Sequence, residues 1–191
     1  MTKQELRNKY KILRKELDQT TIDQLSRACF KNLFSDFDIG NKNVGIFLPI
    51  QSNNEPNTFL LLSEFSSNNI NYSAPKIDKD SDKMDFYSIS NENQIEYGLF
   101  RIPEPLPINK TELSCLDIIL IPLLCFDFKG NRVGYGKGYY DKLLKNAPEK
   151  LLKVGVSLFN EPEKIDDINS TDITMDFCLT PLKVISFKHE K

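Results

Sequence analysis

Four of the chain's eight glycines, Gly130, Gly134, Gly136 and Gly138, fall in the run GNRVGYGKGYYD over residues 130–141. Glycines at alternate positions let a backbone approach a ligand closely and turn its N–H groups inward. A helix expected from Tyr139 to about Lys145 adds the positive end of its dipole. Arg132 and Lys137 add fixed charge. Together these features make a cradle for phosphate. It is not a Walker A loop, because Asn131 stands where the first glycine belongs and Gly138, not Ser or Thr, follows Lys137. Gly134, Gly136 and Gly138 also lack the last spacing of a dinucleotide fingerprint. The local residues therefore support a phosphate site of unspecified class, against the plainer alternative of a flexible turn feeding a helix. Asp141, in the first turn of that helix, serves equally as a complement to the helix dipole or as a magnesium ligand beside phosphates.

Composition removes several other chemistries. The chain has 191 residues and a net charge of −2, enough for one domain over residues 1–191 and without the basic bias of a nucleic-acid binder. Its one histidine is His189, close to the C-terminus, a poor place to hold the base of a Ser-His-Asp or Cys-His unit. Cys29, Cys115, Cys125 and Cys178 form no CxxC pair, and the first three lie in apolar runs, so buried free thiols are expected. No secretory signal and no membrane-length apolar run is present, which predicts a cytoplasmic protein with no membrane partner. Only five arginines stand beside twenty lysines, so each arginine has a better claim to a specific contact.

The elements that must position the cradle follow from hydrophobic spacing. Residues 3–17 predict a helix with Leu6, Tyr10, Leu13 and Leu17 on one stripe and Lys3, Arg7, Lys11 and Arg14 on a neighbouring face. A second helix is expected from Thr21, capped with Gln24, to about Phe37. Residues 43–50, 71–75, 116–126 and 154–158 read as strands, the third of them central, and residues 58–65 as helical. Residues 84–89 and 95–97 suggest a hairpin, the prolines at 103, 105 and 107 exclude regular structure, and residues 177–180 and 184–187 suggest edge strands. Helices alternating with buried strands point to an α/β sandwich with a mostly parallel sheet.

Over nearly its full length the chain resembles the 5-formyltetrahydrofolate cyclo-ligase, or 5,10-methenyltetrahydrofolate synthetase, family. The resemblance is carried by residues 130–141 preceded by PLLCFD, by KQELR at residues 3–7, by FLPIQSNNEPNT around Glu55, and by GLFRIPEP around Glu104. It implies a three-layer α/β sandwich with a mostly parallel, mixed central sheet flanked by helices, and an enzyme, a ligase closing a C–N bond. ATP and magnesium would drive cyclisation of 5-formyltetrahydrofolate to 5,10-methenyltetrahydrofolate, releasing ADP and phosphate.

The resemblance also implies roles for particular residues. Lys3, Gln4, Glu5, Leu6 and Arg7 would join Arg132, Val133, Gly134, Tyr135, Gly136, Lys137, Gly138, Tyr139 and Tyr140 around ATP. Leu48, Glu55 and Phe100, with Tyr135, Gly136, Lys137, Gly138 and Tyr139, would meet the folate. Arg132, Lys137 and Tyr140 are the expected catalytic groups, and Asp141 and Asp172 the expected metal ligands. Near Asp172 the stretch TDITMD lacks a His or Asn that family members often carry beside the acid. Glu104 has a weaker claim. The expected partners are ATP and a reduced folate, polyglutamylated or not, bound by a monomer. A folate-storing module, or an ATP-dependent enzyme acting on another formyl or carboxyl compound, would keep the same fold. Glu55 together with the complete glycine run favours the cyclo-ligase.

Overall fold

The structure is a computed structural model and describes residues 1–78, 80–98 and 102–187. Its first helix, α1 (Lys3–Lys15), is set by a capping box, in which Thr2 accepts from the Glu5 N–H and Glu5 accepts from the Thr2 N–H. The second helix, α2 (Gln19–Asp36), starts two residues before the expected Thr21, because the Asp18 carboxylate takes the cap and accepts from the Thr21 N–H at 2.7 Å. Strand β1 (Asn43–Gly45) follows, then a short 3-10 turn leading into α3 (Leu62–Ser67).

The next strands are β2 (Asn71–Asp78), β3 (Lys83–Ile89), β4 (Ile95–Tyr97), β5 (Pro103–Pro105), β6 (Lys110–Thr111) and β7 (Ile118–Pro122). A short hairpin, β8 (Cys125–Phe126) with β9 (Arg132–Val133), leads through the glycine run to α4 (Tyr139–Leu144). Strands β10 (Leu152–Val156), β11 (Phe177–Leu179) and β12 (Val184–Ser186) complete the chain.

The main sheet has the order β12-β11-β10-β7-β1-β2-β3-β6. Its centre, β2-β1-β7-β10-β11, is parallel, and the outer pairs are antiparallel. Side chains of β7 alternate across it. Ile118 and Leu120 pack with α2 and α3, whereas Ile119 and Ile121 pack on the side of Leu144 in α4. This is the expected three-layer arrangement. Helix α1 lies elsewhere, burying Leu6 and Tyr10 against Leu124, Cys125 and Val133 of the β8–β9 hairpin. Among the described residues no helix is long and apolar enough to cross a membrane.

Several local expectations fail for identifiable reasons. β3 pairs with β2, not with β4, because β2 runs past Lys76 to Asp78 and Asp80, Ser81 and Asp82 turn the chain back into Lys83 of β3. β4 pairs with β5, so the proline-rich stretch is a strand after all. Gly98 donates to Ile102 and Leu106 to Gln94, which leaves Pro103 and Pro105 at positions where no ladder N–H is needed. β1 stops at Gly45, well before residue 50. The apolar run 116–126 is split between central β7 and the hairpin strand β8. β11 sits between β10 and β12, so of the two expected edge strands β12 alone lies at an edge. Cys115 is exposed at the end of a 3-10 turn, while Cys29, Cys125 and Cys178 are buried thiols.

Candidate functional site

In open α/β sheets ligands bind beyond the carboxyl ends of the strands, where neighbouring connections leave in opposite directions. Here that place lies past β1 and β7. The chain leaving β1 carries Glu55, and the chain leaving β7 enters the β8–β9 hairpin and the glycine run.

The first part of the run is structural. The Asp127 carboxylate staples the hairpin turn by accepting from the N–H groups of Lys129 (2.8 Å) and Asn131 (2.9 Å) and from the Asn131 side chain (2.7 Å). Gly130 has φ +84°, and a Cβ there would lie 2.8 Å from the Met175 carbonyl. Val133 is fully buried in the core beneath α1. The open part of the loop is residues 134–138, where Gly136, Lys137 and Gly138 are exposed. Gly136 has φ +95°, and any Cβ would meet the Arg7 guanidinium at 3.3 Å.

Helix α1 supplies cations to this loop. Arg7 donates from Nε to the Gly134 carbonyl at 2.9 Å and from a terminal nitrogen to Gln4 Oε1 at 2.6 Å, so Gln4 orients Arg7. Lys3 pairs with Asp172. Burial alone would raise the Asp172 carboxyl; the Lys3 hydrogen bond, the Asn169 N–H and the Lys3 and Arg132 charges outweigh it and hold it below the ordinary range. Glu5 and Leu6 stand apart from the loop chemistry, one spent on the helix cap and the other fully buried in the core.

Arg132 donates to Asp141 at 2.7 Å and to the Ile173 carbonyl at 2.5 Å, and Asp141 also accepts from the Ile173 N–H at 3.1 Å. Asp141 therefore neither caps α4 nor stands free, but fastens residue 173 beside Asp172. The Arg132 side chain is 7% exposed and Asp141 32%, a pair worth more than a surface ion pair. Arg132→Ala is expected to lower stability by about 2 kcal/mol, because it strands a carboxylate and a carbonyl. Thermal denaturation would read this as a fall in Tm of roughly 4–8 °C; an unchanged Tm would show the pair to be idle.

On the opposite wall Glu55 is buried, with 5% of its surface exposed. It accepts from the Ile50 N–H at 2.8 Å, and the Tyr135 hydroxyl lies near it. Tyr135 accepts in turn from Arg14 at 2.7 Å. Burial pushes the Glu55 carboxyl up, against the Ile50 N–H, Arg14 and Tyr135, which favour its ionised form. Burial and then the Glu55 charge raise the Tyr140 hydroxyl, which lies buried without a hydrogen-bond partner among the described residues. Leu48 is buried in the core below this wall.

Two expected contacts are not assembled. Tyr139 lies beside Asp82 in the β2–β3 turn, with the Lys142 ammonium 5.7 Å from its ring centre, and so faces away from Glu55. Its place at the start of α4 puts successive tyrosines on different sides of the helix, one toward the turn and one toward the crevice. Glu104 pairs with Glu96 across β4–β5, and both carboxylates reach Lys76, at 3.4 and 2.6 Å, in a structural clasp. Phe100 lies outside the described residues.

The sequence groups Arg14 with Lys3, Arg7 and Lys11 on the face beside the apolar stripe, whereas the structure buries it in the core. It is 1% exposed. The signal was present: Leu6, Tyr10 and Arg14 are spaced by four, so a cation stands at an apolar-stripe position.

The crevice of this α/β fold thus has a cationic glycine loop on one wall and a buried carboxyl on the other. The chain belongs to the 5-formyltetrahydrofolate cyclo-ligase family, which residues 1–181 match. Over 100% of this chain and 95% of the other, the fold superimposes on the 5,10-methenyltetrahydrofolate synthetase of Aquifex aeolicus, with a TM-score of 0.82 and 29% identity. The synthetase of Mycoplasma pneumoniae shares the fold at a TM-score of 0.73 and 22% identity, covering 95% of this chain and 99% of that one. The mitochondrial 5-formyltetrahydrofolate cyclo-ligase of Arabidopsis thaliana is 26% identical over 75% of this chain, which spans 61% of that relative's length.

Proposed function

We propose that the chain catalyses the ATP-dependent closure of 5-formyltetrahydrofolate to 5,10-methenyltetrahydrofolate. One observation carries the reading beyond family membership: the Tyr135 hydroxyl, inside the glycine loop, accepts from the buried Arg14, and both groups lie near enough to the buried Glu55 to favour its charged form. A phosphate cradle and a carboxyl fitted to an amino-pyrimidine edge therefore adjoin. A reaction that joins a phosphoryl donor to a pterin needs that adjacency.

An N-formyl oxygen is a poor leaving group. Transfer of the ATP γ-phosphoryl to it makes an O–P bond as the bond to ADP breaks, giving an imidate-like phosphate at N5. N10 then attacks the same carbon, the C–O bond breaks, phosphate leaves with the former formyl oxygen, and the N10 proton passes to solvent. The protein's part is positioning and charge stabilisation. Gly134, Gly136 and Gly138 offer backbone N–H groups, Arg7 lies against the loop, and Lys137 stands exposed at its tip. Glu55 accepts from the pterin, and the unpartnered Tyr140 hydroxyl is available to the substrate.

Magnesium belongs to this reading. Among the described residues no three His, Cys, Asp or Glu side chains form a cage. Magnesium bound with a nucleotide needs only one or two carboxylates besides phosphate oxygens and water. Asp141 and Asp172 fit that role, since Asp141 grips the N–H of Ile173, the residue next to Asp172. The ion would neutralise charge on the β- and γ-phosphates. Asp141→Asn keeps an acceptor for Arg132 but loses the charge. It is expected to raise the magnesium concentration for half-maximal activity about tenfold; an unchanged metal titration would remove Asp141 from the site.

The near-ultraviolet absorbance of the methenyl product tests the proposal. Mixing protein, magnesium, ATP and 5-formyltetrahydrofolate should produce it, and omission of ATP should abolish it. Tight folate binding with no ATP-dependent product would refute the cyclisation and leave a storage module.

A further inference from the structure

Arg14 has no part in the chemistry above, yet it is the largest fully buried side chain of the described protein. Burying a guanidinium is costly unless it is paired and hydrogen-bonded. One terminal nitrogen donates to the Leu123 carbonyl just past β7, the other to the Tyr135 hydroxyl at 2.7 Å, and Nε has no partner among the described residues. The Tyr135 hydroxyl and the Arg14 charge both lie near enough to Glu55 to favour its ionised form. A second tie runs along the backbone. The side chain of Asn54, next to Glu55, donates to the carbonyls of Arg14 (2.7 Å) and Leu17 (3.1 Å). The end of α1 is thus fastened to the Glu55 loop twice.

We propose that Arg14 is a positioning residue for the folate half of the reaction, fixing Glu55 through the Tyr135 hydroxyl so that its carboxyl meets the N–H donors of the pterin. The inference rests on the proposed function. Glu55 is faced by the Ile50 N–H from its own loop, by Arg14 from α1, by Tyr135 from the glycine loop and by Tyr140 from α4. Arg14 is the cation of that set, so its loss disfavours the ionised carboxyl. A residue that merely pinned α1 would instead weaken ATP and folate use together, because α1 also carries Lys3 and Arg7.

The test is calorimetric binding of 5-formyltetrahydrofolate from mildly acidic to mildly alkaline pH, alongside the KM for ATP. The proteins are the parent and the variants Arg14→Met, Arg14→Lys and Tyr135→Phe. Arg14→Met should weaken folate binding about tenfold. It should leave the KM for ATP within about twofold of the parent and move the pH at which folate binding sets in upward. Arg14→Lys should restore that pH in part, and Tyr135→Phe should displace it in the same direction as Arg14→Met. If Arg14→Met does not fold, the other two variants carry the same comparison. Unchanged folate affinity and pH profile in a folded variant, or equal losses toward ATP and folate, would overturn the role. A parent that binds no 5-formyltetrahydrofolate overturns the proposed function and this role with it. A parent that binds but does not turn over, with the variant profiles displaced as described, supports the role and removes only the cyclisation.

Discussion

Lys137→Ala is expected to lower kcat/KM for ATP by about 10²–10³-fold, the usual cost of losing one group aimed at developing charge. Lys137 is exposed at the loop tip and makes no ion pair among the described residues. Its removal strands nothing, so Tm should be unchanged. In this it differs from Arg132, whose loss damages the frame as well as the site. The KM for 5-formyltetrahydrofolate should stay within about threefold of the parent, because Glu55 and its partners are untouched. Steady-state kinetics with ATP varied, together with a melting curve, make the check. ATP kinetics like those of the parent would take Lys137 out of the phosphate site.

Glu55→Gln should separate stability from binding. Burial raises the Glu55 carboxyl, so the folded chain holds its proton more tightly than the unfolded chain does. The sign of the linkage follows. Glu55 contributes most stability below the ordinary carboxylate pKa of about 4.3, and that contribution is lost as pH rises through the folded value. Burial penalises the ionised carboxyl, a cost that the neutral glutamine does not carry. Glu55→Gln should therefore melt at the same temperature or higher at neutral pH, and the part of the stability-versus-pH curve due to Glu55 should vanish. Folate binding should fall by about 10- to 100-fold, the worth of a hydrogen bond to a charged acceptor. Melting curves across pH and calorimetric titration measure both effects. A variant that binds folate as tightly as the parent would show that Glu55 does not hold the pterin.

Much of this site was legible in the sequence because its parts are local. Residues 130–141 show their glycines, cations and helix start within one short run, and the periodicity of residues 3–17 places Lys3 and Arg7 on one helix. The pairings were not legible. Tyr135 with Glu55 and Arg14, Arg132 with Asp141 and Ile173, and Lys3 with Asp172 all depend on which strands the sheet sets side by side. Arg14 was hidden for a second reason. A cation on an amphipathic helix reads as solvent-facing, and only its position on the stripe of Leu6 and Tyr10 says otherwise. The fold shows the same division. The buried parallel centre follows from apolar runs, whereas the β4–β5 pair escaped because prolines argue against strands except where no N–H is required.

The most direct measurement follows the formyl oxygen. With 5-formyltetrahydrofolate labelled at that atom with heavy oxygen, the account predicts that released phosphate carries one labelled oxygen for each methenyl product formed. Label appearing in water, or phosphate released without it, would contradict phosphoryl transfer to the formyl oxygen. Such a result would leave the glycine loop and Glu55 without the shared task assigned to them.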